Sequence, residues 1–140
     1  MKMMPLMLIV IGAAIILVFM IVQKRGKPLK AGQIKGTVDR VVDGDSLYIK
    51  THDPQIRLWG LDAPERNEEG YKEATKQLYQ LAYNKTITCE IMDVDRYGRT
   101  VSRCKTPDGS DLSAEMIRSG TAKEYIRFTK GYYSNVTPKP

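Results

Sequence analysis

Histidine is almost absent from this chain: one residue, His52, in 140. It lies in Thr51-His52-Asp53-Pro54, which reads as a turn, so its plain role is that of a surface turn residue. One imidazole leaves no support for a histidine-based phosphodiesterase, a Ser-His-Asp triad or a tetrahedral zinc site. No G-x-x-x-x-G-K-[ST] segment is present, which removes the P-loop mode of phosphate binding. Internal repeats and low-complexity segments are lacking as well. Acidic residues are missing from the whole N-terminal region, the first being Asp39.

That last absence explains the net charge of +6. Lys2, Lys24, Arg25, Lys27 and Lys30 supply five of the 22 basic residues, and the rest of the chain is 17 basic against 16 acidic. The excess is therefore a local patch suited to anionic lipid headgroups, not a general field for nucleic acid. The remaining domain must win any phosphate through local contacts.

Between those charges, residues 4–22 form nineteen consecutive positions without a charged side chain. A helix crossing a bilayer needs roughly 20 such residues, and no polar face is available for a globular helix. We expect an N-terminal transmembrane anchor over residues 1–23, followed by a basic linker over 24–33. The alternative is a signal peptide and secretion after cleavage, although Val22-Gln23-Lys24-Arg25 makes a poor cleavage site. The basic residues after the apolar run favour a cytoplasmic domain. Cys89 and Cys104 point the other way. They fall on neighbouring predicted strands, and a bridge between them would stabilise by roughly 3 kcal/mol and mark an oxidising compartment. Two buried free thiols are the alternative, since strand register decides which holds. The side of the membrane stays open, with the extracytoplasmic side favoured.

The globular domain is expected over residues 34–128, with a tail over 129–140. Alternation and turn residues predict strands over 36–42, 46–50, 55–61, 85–92 and 99–105. Helices are predicted over 71–83, with Asn84 beyond its end, and over 112–119, capped by Asp111 or Ser113 and ended by Gly120. Residues 122–128 read as extended or irregular, and no helix signal follows residue 131. Five strands with a helix after the third give an α+β fold, a five-stranded OB-fold Greek-key β-barrel with two helices.

Three clusters carry chemistry. Arg57 sits in the apolar strand Ile56-Arg57-Leu58-Trp59-Gly60-Leu61, which ends in Asp62-Ala63-Pro64-Glu65. A buried arginine needs an anionic partner, either a protein carboxylate or a ligand phosphate. Asp43-Gly44-Asp45 lies between two strands, where glycine can aim a carboxylate into a pocket through a tight or positive-φ turn. Asp95-Arg96-Tyr97-Gly98-Arg99 follows the fourth strand. Each has an ordinary explanation alone: a turn, an Asp62 to Glu65 capping box, a solvated hairpin charge or a structural ion pair. Together they suggest a site for a divalent cation and a phosphate. Asp45 and Asp62, with the carbonyl of Ala63, offer hard oxygens suited to a loosely held Ca2+.

In this order, and with Ala114-Glu115-Met116-Ile117-Arg118-Ser119-Gly120-Thr121-Ala122 behind them, these motifs resemble the thermonuclease family, the staphylococcal-nuclease-like domains. The resemblance covers about residues 34–128. It implies an OB-fold barrel with helices and Ca2+-dependent hydrolysis of DNA and RNA phosphodiesters. By position, Asp45 and Asp62 resemble the metal carboxylates, with the Ala63 carbonyl beside them where the family often has threonine. Arg57, Glu65 and Arg99 resemble the catalytic trio, and Asp43 a nearby acid of lesser importance. Tyr97 and Tyr125 are the candidate substrate-binding residues. The departure is at the end: the family continues into a third helix under the barrel, and residues 131–140 show none. The expectation is a membrane-anchored nuclease acting as a monomer on DNA and RNA, with no protein partner. The alternative is a non-catalytic OB-fold module that binds single-stranded nucleic acid by stacking and phosphate contacts.

Overall fold

A computed structural model describes residues 29–138. The expected anchor and the first half of the basic linker lie outside them. Among the described residues no helix is long and apolar enough to cross a membrane.

Five strands close into a barrel in the order β1-β2-β3-β6-β5. They are β1 (Gln33–Val41), β2 (Ser46–Ile49), β3 (His52–Leu58), β5 (Thr86–Val94) and β6 (Thr100–Lys105). Neighbours are antiparallel except β3 and β6, whose parallel pairing sets Ile56, Arg57 and Leu58 against Thr100, Val101 and Ser102. A two-residue strand β4 (Leu61–Asp62) pairs outside the barrel with β7 (Lys123–Glu124). This is the expected five-stranded barrel. Leu47, Ile49, Ile56, Leu58, Ile87, Cys89 and Cys104 fill its inside. They come from alternate positions, as the period of a strand requires.

Helix α1 (Tyr71–Ala82) lays Ala74, Leu78 and Ala82 against the core. Asn84 follows with φ +60, the left-handed conformation that ends many helices. Helix α2 (Leu112–Arg118) starts where the Asp111 carboxylate accepts from the Ala114 N–H at 3.1 Å. Ser113 does not cap; its hydroxyl donates to the Trp59 carbonyl at 2.9 Å.

Three local readings change. The segment 51–54 is not simply a turn, because β3 already starts at His52. His52 is half-buried, and its Nε2 lies 2.8 Å from Thr100 Oγ1 on β6. The pairing with β2 and closure against β6 override the local turn signal of Pro54. The third strand also stops at Leu58 and not at residue 61, because Gly60 turns the chain at φ +74. Last, residues 122–128, read as extended or irregular, are extended at β7 but then enter a single helical turn, α3 (Ile126–Thr129). Four residues are too few to show a helical period in sequence.

The tail covers the face that seemed bare. Tyr133 is buried, and its hydroxyl donates to both Asp111 carboxylate oxygens at 3.0 and 3.2 Å. Tyr132 and Tyr133 pack on Trp59, with ring centroids 5.4 and 5.9 Å away, and Val136 joins the core. A hydrophobic strap therefore stands beside α3 where a longer helix was thought missing.

The two cysteines are directly opposite in the β5–β6 ladder and form a disulfide. The register, which sequence left open, decides in favour of the bridge.

Candidate active site

Arg57 occupies an outward position on β3 between buried Ile56 and Leu58. Its partner is the protein carboxylate: Nη2 lies 3.1 Å from Asp45 Oδ2. The same guanidinium donates to the Leu58 and Leu61 carbonyls at 3.0 and 2.8 Å. It is thus held in a fixed plane, the condition for a fork that meets two acceptors at once.

Asp45 is buried beneath it. Its carboxylate accepts from Ser46 Oγ at 3.0 Å and from the Ala63 N–H at 3.4 Å. Burial pushes this carboxyl up to about 7, opposed by the Arg57 guanidinium and reinforced by the nearby Asp43. Asp43 in turn accepts from the Asp45 N–H at 3.1 Å. Gly44 is needed for a reason other than an unusual φ. A Cβ there would come within 2.7 and 2.8 Å of the Ala74 and Ala63 Cβ atoms. Only glycine lets the Asp43-Gly44-Asp45 turn lie so close to α1 and to Ala63.

Arg99 precedes β6 at the end of the β5–β6 hairpin. Asp95 holds it: Arg99 Nε donates to Oδ2 at 2.7 Å, and the Arg99 and Tyr97 N–H groups both donate to Oδ1 at 3.0 Å. Burial works to raise the Asp95 carboxyl, but these hydrogen bonds outweigh it and keep it below the ordinary carboxylate value. Asp95 is therefore a positioning group for Arg99. Sequence placed it only inside the motif. Its i, i+4 spacing to Arg99 was the available signal.

Arg57, Arg99, Tyr97 and Tyr125 line one cavity of about 460 Å³. Trp59, Met92, Arg96 and Phe128 share its walls. This size suits a small ligand or one residue of a polymer. Asp45 adjoins it through Arg57, and Ala63 reaches Asp45 through its N–H. Asp62 and Glu65 do not line it. Asp62 is exposed on β4 opposite Lys123 of β7. Glu65 is exposed on the loop before α1, where its carbonyl accepts from the Glu68 N–H at 2.8 Å. That loop does not form a helix start at Asp62, so the capping-box alternative is removed. Among the described residues, no three His, Cys, Asp or Glu side chains converge as a metal cage. The donors at hand, two carboxylates and the Ala63 carbonyl, are all hard oxygens. Oxygens of that kind suit calcium and not zinc, but Asp62 stands exposed on β4 opposite Lys123 and does not line the cavity.

Comparison with known proteins adds an independent line. A family model described as a staphylococcal nuclease homologue matches residues 55–137. The chain is 33% identical over 103 residues to a protein of Escherichia coli O157:H7 described as an uncharacterized endonuclease. That match covers 72% of this chain and 67% of the other. It is 28% identical over 106 residues to a micrococcal nuclease of Shigella flexneri, covering 69% and 61%. A third similarity, to endonuclease YhcR of Bacillus subtilis (strain 168), is 29% over 118 residues and spans 71% of this chain but 10% of that much longer protein.

Proposed function

The chain belongs to the staphylococcal nuclease homologue family, and on that footing we propose that it is a membrane-anchored, Ca2+-dependent nuclease that hydrolyses DNA and RNA with little sequence specificity. The observation that carries this reading is the meeting of Arg57 and Arg99 on one cavity. Two guanidinium groups held by Asp45 and Asp95 match a phosphodiester passing to a more negative, five-coordinate transition state. Their hydrogen bonds strengthen as that charge develops, which lowers the barrier and does not merely tighten binding.

Glu65 accepts the proton of the water that attacks phosphorus, directly or through a second water. Asp45, Asp62 and the Ala63 carbonyl would hold Ca2+, which when bound offsets charge on the phosphate. The Cys89–Cys104 bridge supports an oxidising, extracytoplasmic location, with a single-pass anchor over residues 1–23 or release after cleavage. The proposed active form is a monomer.

The exposed position of Glu65 is what favours the second reading, a non-catalytic binder of single strands. One experiment separates them. The full-length chain in mild detergent is expected to digest denatured DNA with Ca2+ and to stop in EGTA. Glu65→Gln should cut the rate by about 10²–10⁴-fold with an unchanged thermal melt. Equal activity in that variant refutes the role of Glu65, and intact wild type that binds but never cuts establishes the binder.

A further inference from the structure

The outward face of α1 takes no part in the site described so far. The helix buries Ala74, Leu78 and Ala82 against the barrel and leaves Lys72, Lys76, Tyr79 and Tyr83 exposed. Steps of four, three and four residues set these side chains in one stripe along the helix and the residue that ends it. Tyr79 and Tyr83 are 48% and 41% exposed. They stack on each other, with ring centroids 4.3 Å apart at 14°. Among the described residues, no carboxylate pairs with Lys72 or Lys76. Lys85 adds an exposed cation just past the stripe. Glu73 is exposed too, but it stands about 100° round the helix from Lys72. Paired aromatic rings in water beside free lysines mark a contact surface.

The position of the stripe on the fold says what it can meet. The Asn84 N–H donates to the Val38 carbonyl at 2.9 Å, and the Val38 N–H donates to the Lys85 carbonyl at 3.0 Å. The end of α1 therefore lies against β1. That strand begins at Gln33, roughly 16 Å from Val38 at the usual rise of a strand. Before Gln33 come Lys24, Arg25, Lys27 and Lys30, and before them the uncharged stretch 4–22. From residue 23 to Gln33 the chain spans at most about 35 Å. A bilayer holding residues 1–23 is then within reach of the stripe, which is itself roughly 16 Å long. So short a tether gives an effective concentration on the order of millimolar, and weak contacts suffice. Tyrosine suits the headgroup level, with its apolar ring and wet hydroxyl, and lysine suits anionic headgroups. A nucleic-acid strand is served less well, because each ring covers one face of the other and leaves no slot for a base between them.

We propose that the face of α1 carrying Lys72, Lys76, Tyr79 and Tyr83 docks on the anionic surface of the bilayer that anchors the chain. The rings enter the headgroup layer, and the lysines pair with the acidic groups of the lipids. None of the four lines the cavity of Arg57 and Arg99, so docking does not occupy that site. The inference rests on the membrane-anchored reading of the chain.

The test uses the full-length chain in nanodiscs of phosphatidylcholine, with and without phosphatidylserine. Gln80 is exposed beside the stripe. Cys89 and Cys104 are bridged and buried, so Gln80→Cys offers one thiol for a nitrobenzoxadiazole label, whose emission moves to the blue as it leaves water. A blue shift is expected with phosphatidylserine and is lost without it or at high salt. Lys72→Gln with Lys76→Gln should lower the docking constant by about 20-fold, the joint effect of two surface lysines, with an unchanged thermal melt. Tyr79→Ser with Tyr83→Ser should release the face as well. A probe that stays wet on anionic nanodiscs overturns the proposal, as does a blue shift that survives both pairs of substitutions. A chain that elutes apart from the nanodiscs removes the anchor and the docking together, whereas one that co-elutes with a wet probe removes the docking alone. If the probe stays wet and the lysine pair instead weakens binding of an oligothymidylate in EGTA, the face belongs to nucleic acid.

Discussion

At the scale of single residues, Arg57 is both a structural and a chemical group. Its ion pair with Asp45 explains why an apolar strand tolerates it, and its place on the cavity explains what it can do there. Charge alone does not meet both needs, because the planar fork contacts Asp45 and two carbonyls together. Arg57→Lys keeps the charge and the pairing with Asp45 but loses the fork. It is expected to retain its fold by circular dichroism and to lose about 10²–10³-fold in kcat. Asp45 gives a pH dependence of stability. Its folded carboxyl is raised by burial to about 7, against 3.8 ordinarily. A raised acid contributes stability below its unfolded value, and that contribution is lost as pH rises through the folded value. In EGTA, the wild type should therefore lose stability between about pH 4 and 7 relative to Asp45→Asn. Urea titrations across that range measure the difference, and parallel curves for the two proteins would contradict it.

At the scale of elements, the site is built where irregular connections meet regular strands. The turn between β1 and β2 brings Asp45 under Arg57 only because Gly44 lets it press on α1 and Ala63. Gly44→Ala should cost about 1–3 kcal/mol, the range for forcing a methyl into a filled space. The same change should lower nuclease activity at temperatures where the fold persists, since Asp45 moves with the turn. Urea unfolding followed by the rate on denatured DNA checks both. The β5–β6 hairpin shows the opposite case, a local motif that carries its own geometry. Asp95 accepts three hydrogen bonds from within five residues, so Arg99 is oriented by its own hairpin.

For the molecule as a whole, the question is how a small barrel stays closed with, among the described residues, one longer helix and two shorter ones. The disulfide links β5 to β6 and fixes their register. The aromatic tail seals the side near Trp59. Reduction of the bridge opens a loop 15 residues long in the unfolded chain. It is expected to lower stability by roughly 3 kcal/mol. Denaturant unfolding with and without a strong phosphine reductant reads this directly. Unchanged midpoints would show that the tail and core suffice.

Much of this was legible in the residues. Alternation in 36–42 and 85–92 predicted strands, and the apolar spacing of Ala74, Leu78 and Ala82 predicted α1, because neighbours in sequence set the local period. The motif order also pointed to Arg57, Glu65, Arg99, Asp45, Asp62, Ala63, Tyr97 and Tyr125 as residues of one site; Arg57, Arg99, Tyr97 and Tyr125 line one cavity, whereas Asp62 and Glu65 stand exposed outside it. Other features depended on partners distant in sequence. The pairing of His52 with Thr100, the opposition of Cys89 and Cys104, and the identity of the acid under Arg57 all follow from barrel register, which no local pattern contains. Phe128 was silent for the same reason. One helical turn has no readable period, and only its docking on Gly60 places that ring beside the arginines. The sequence by itself determined the five barrel strands and the two longer helices, and which side chains are able to handle a phosphate. Tertiary structure alone decided which of them share a cavity, because closing the barrel joins segments whose separation along the chain hides their contact.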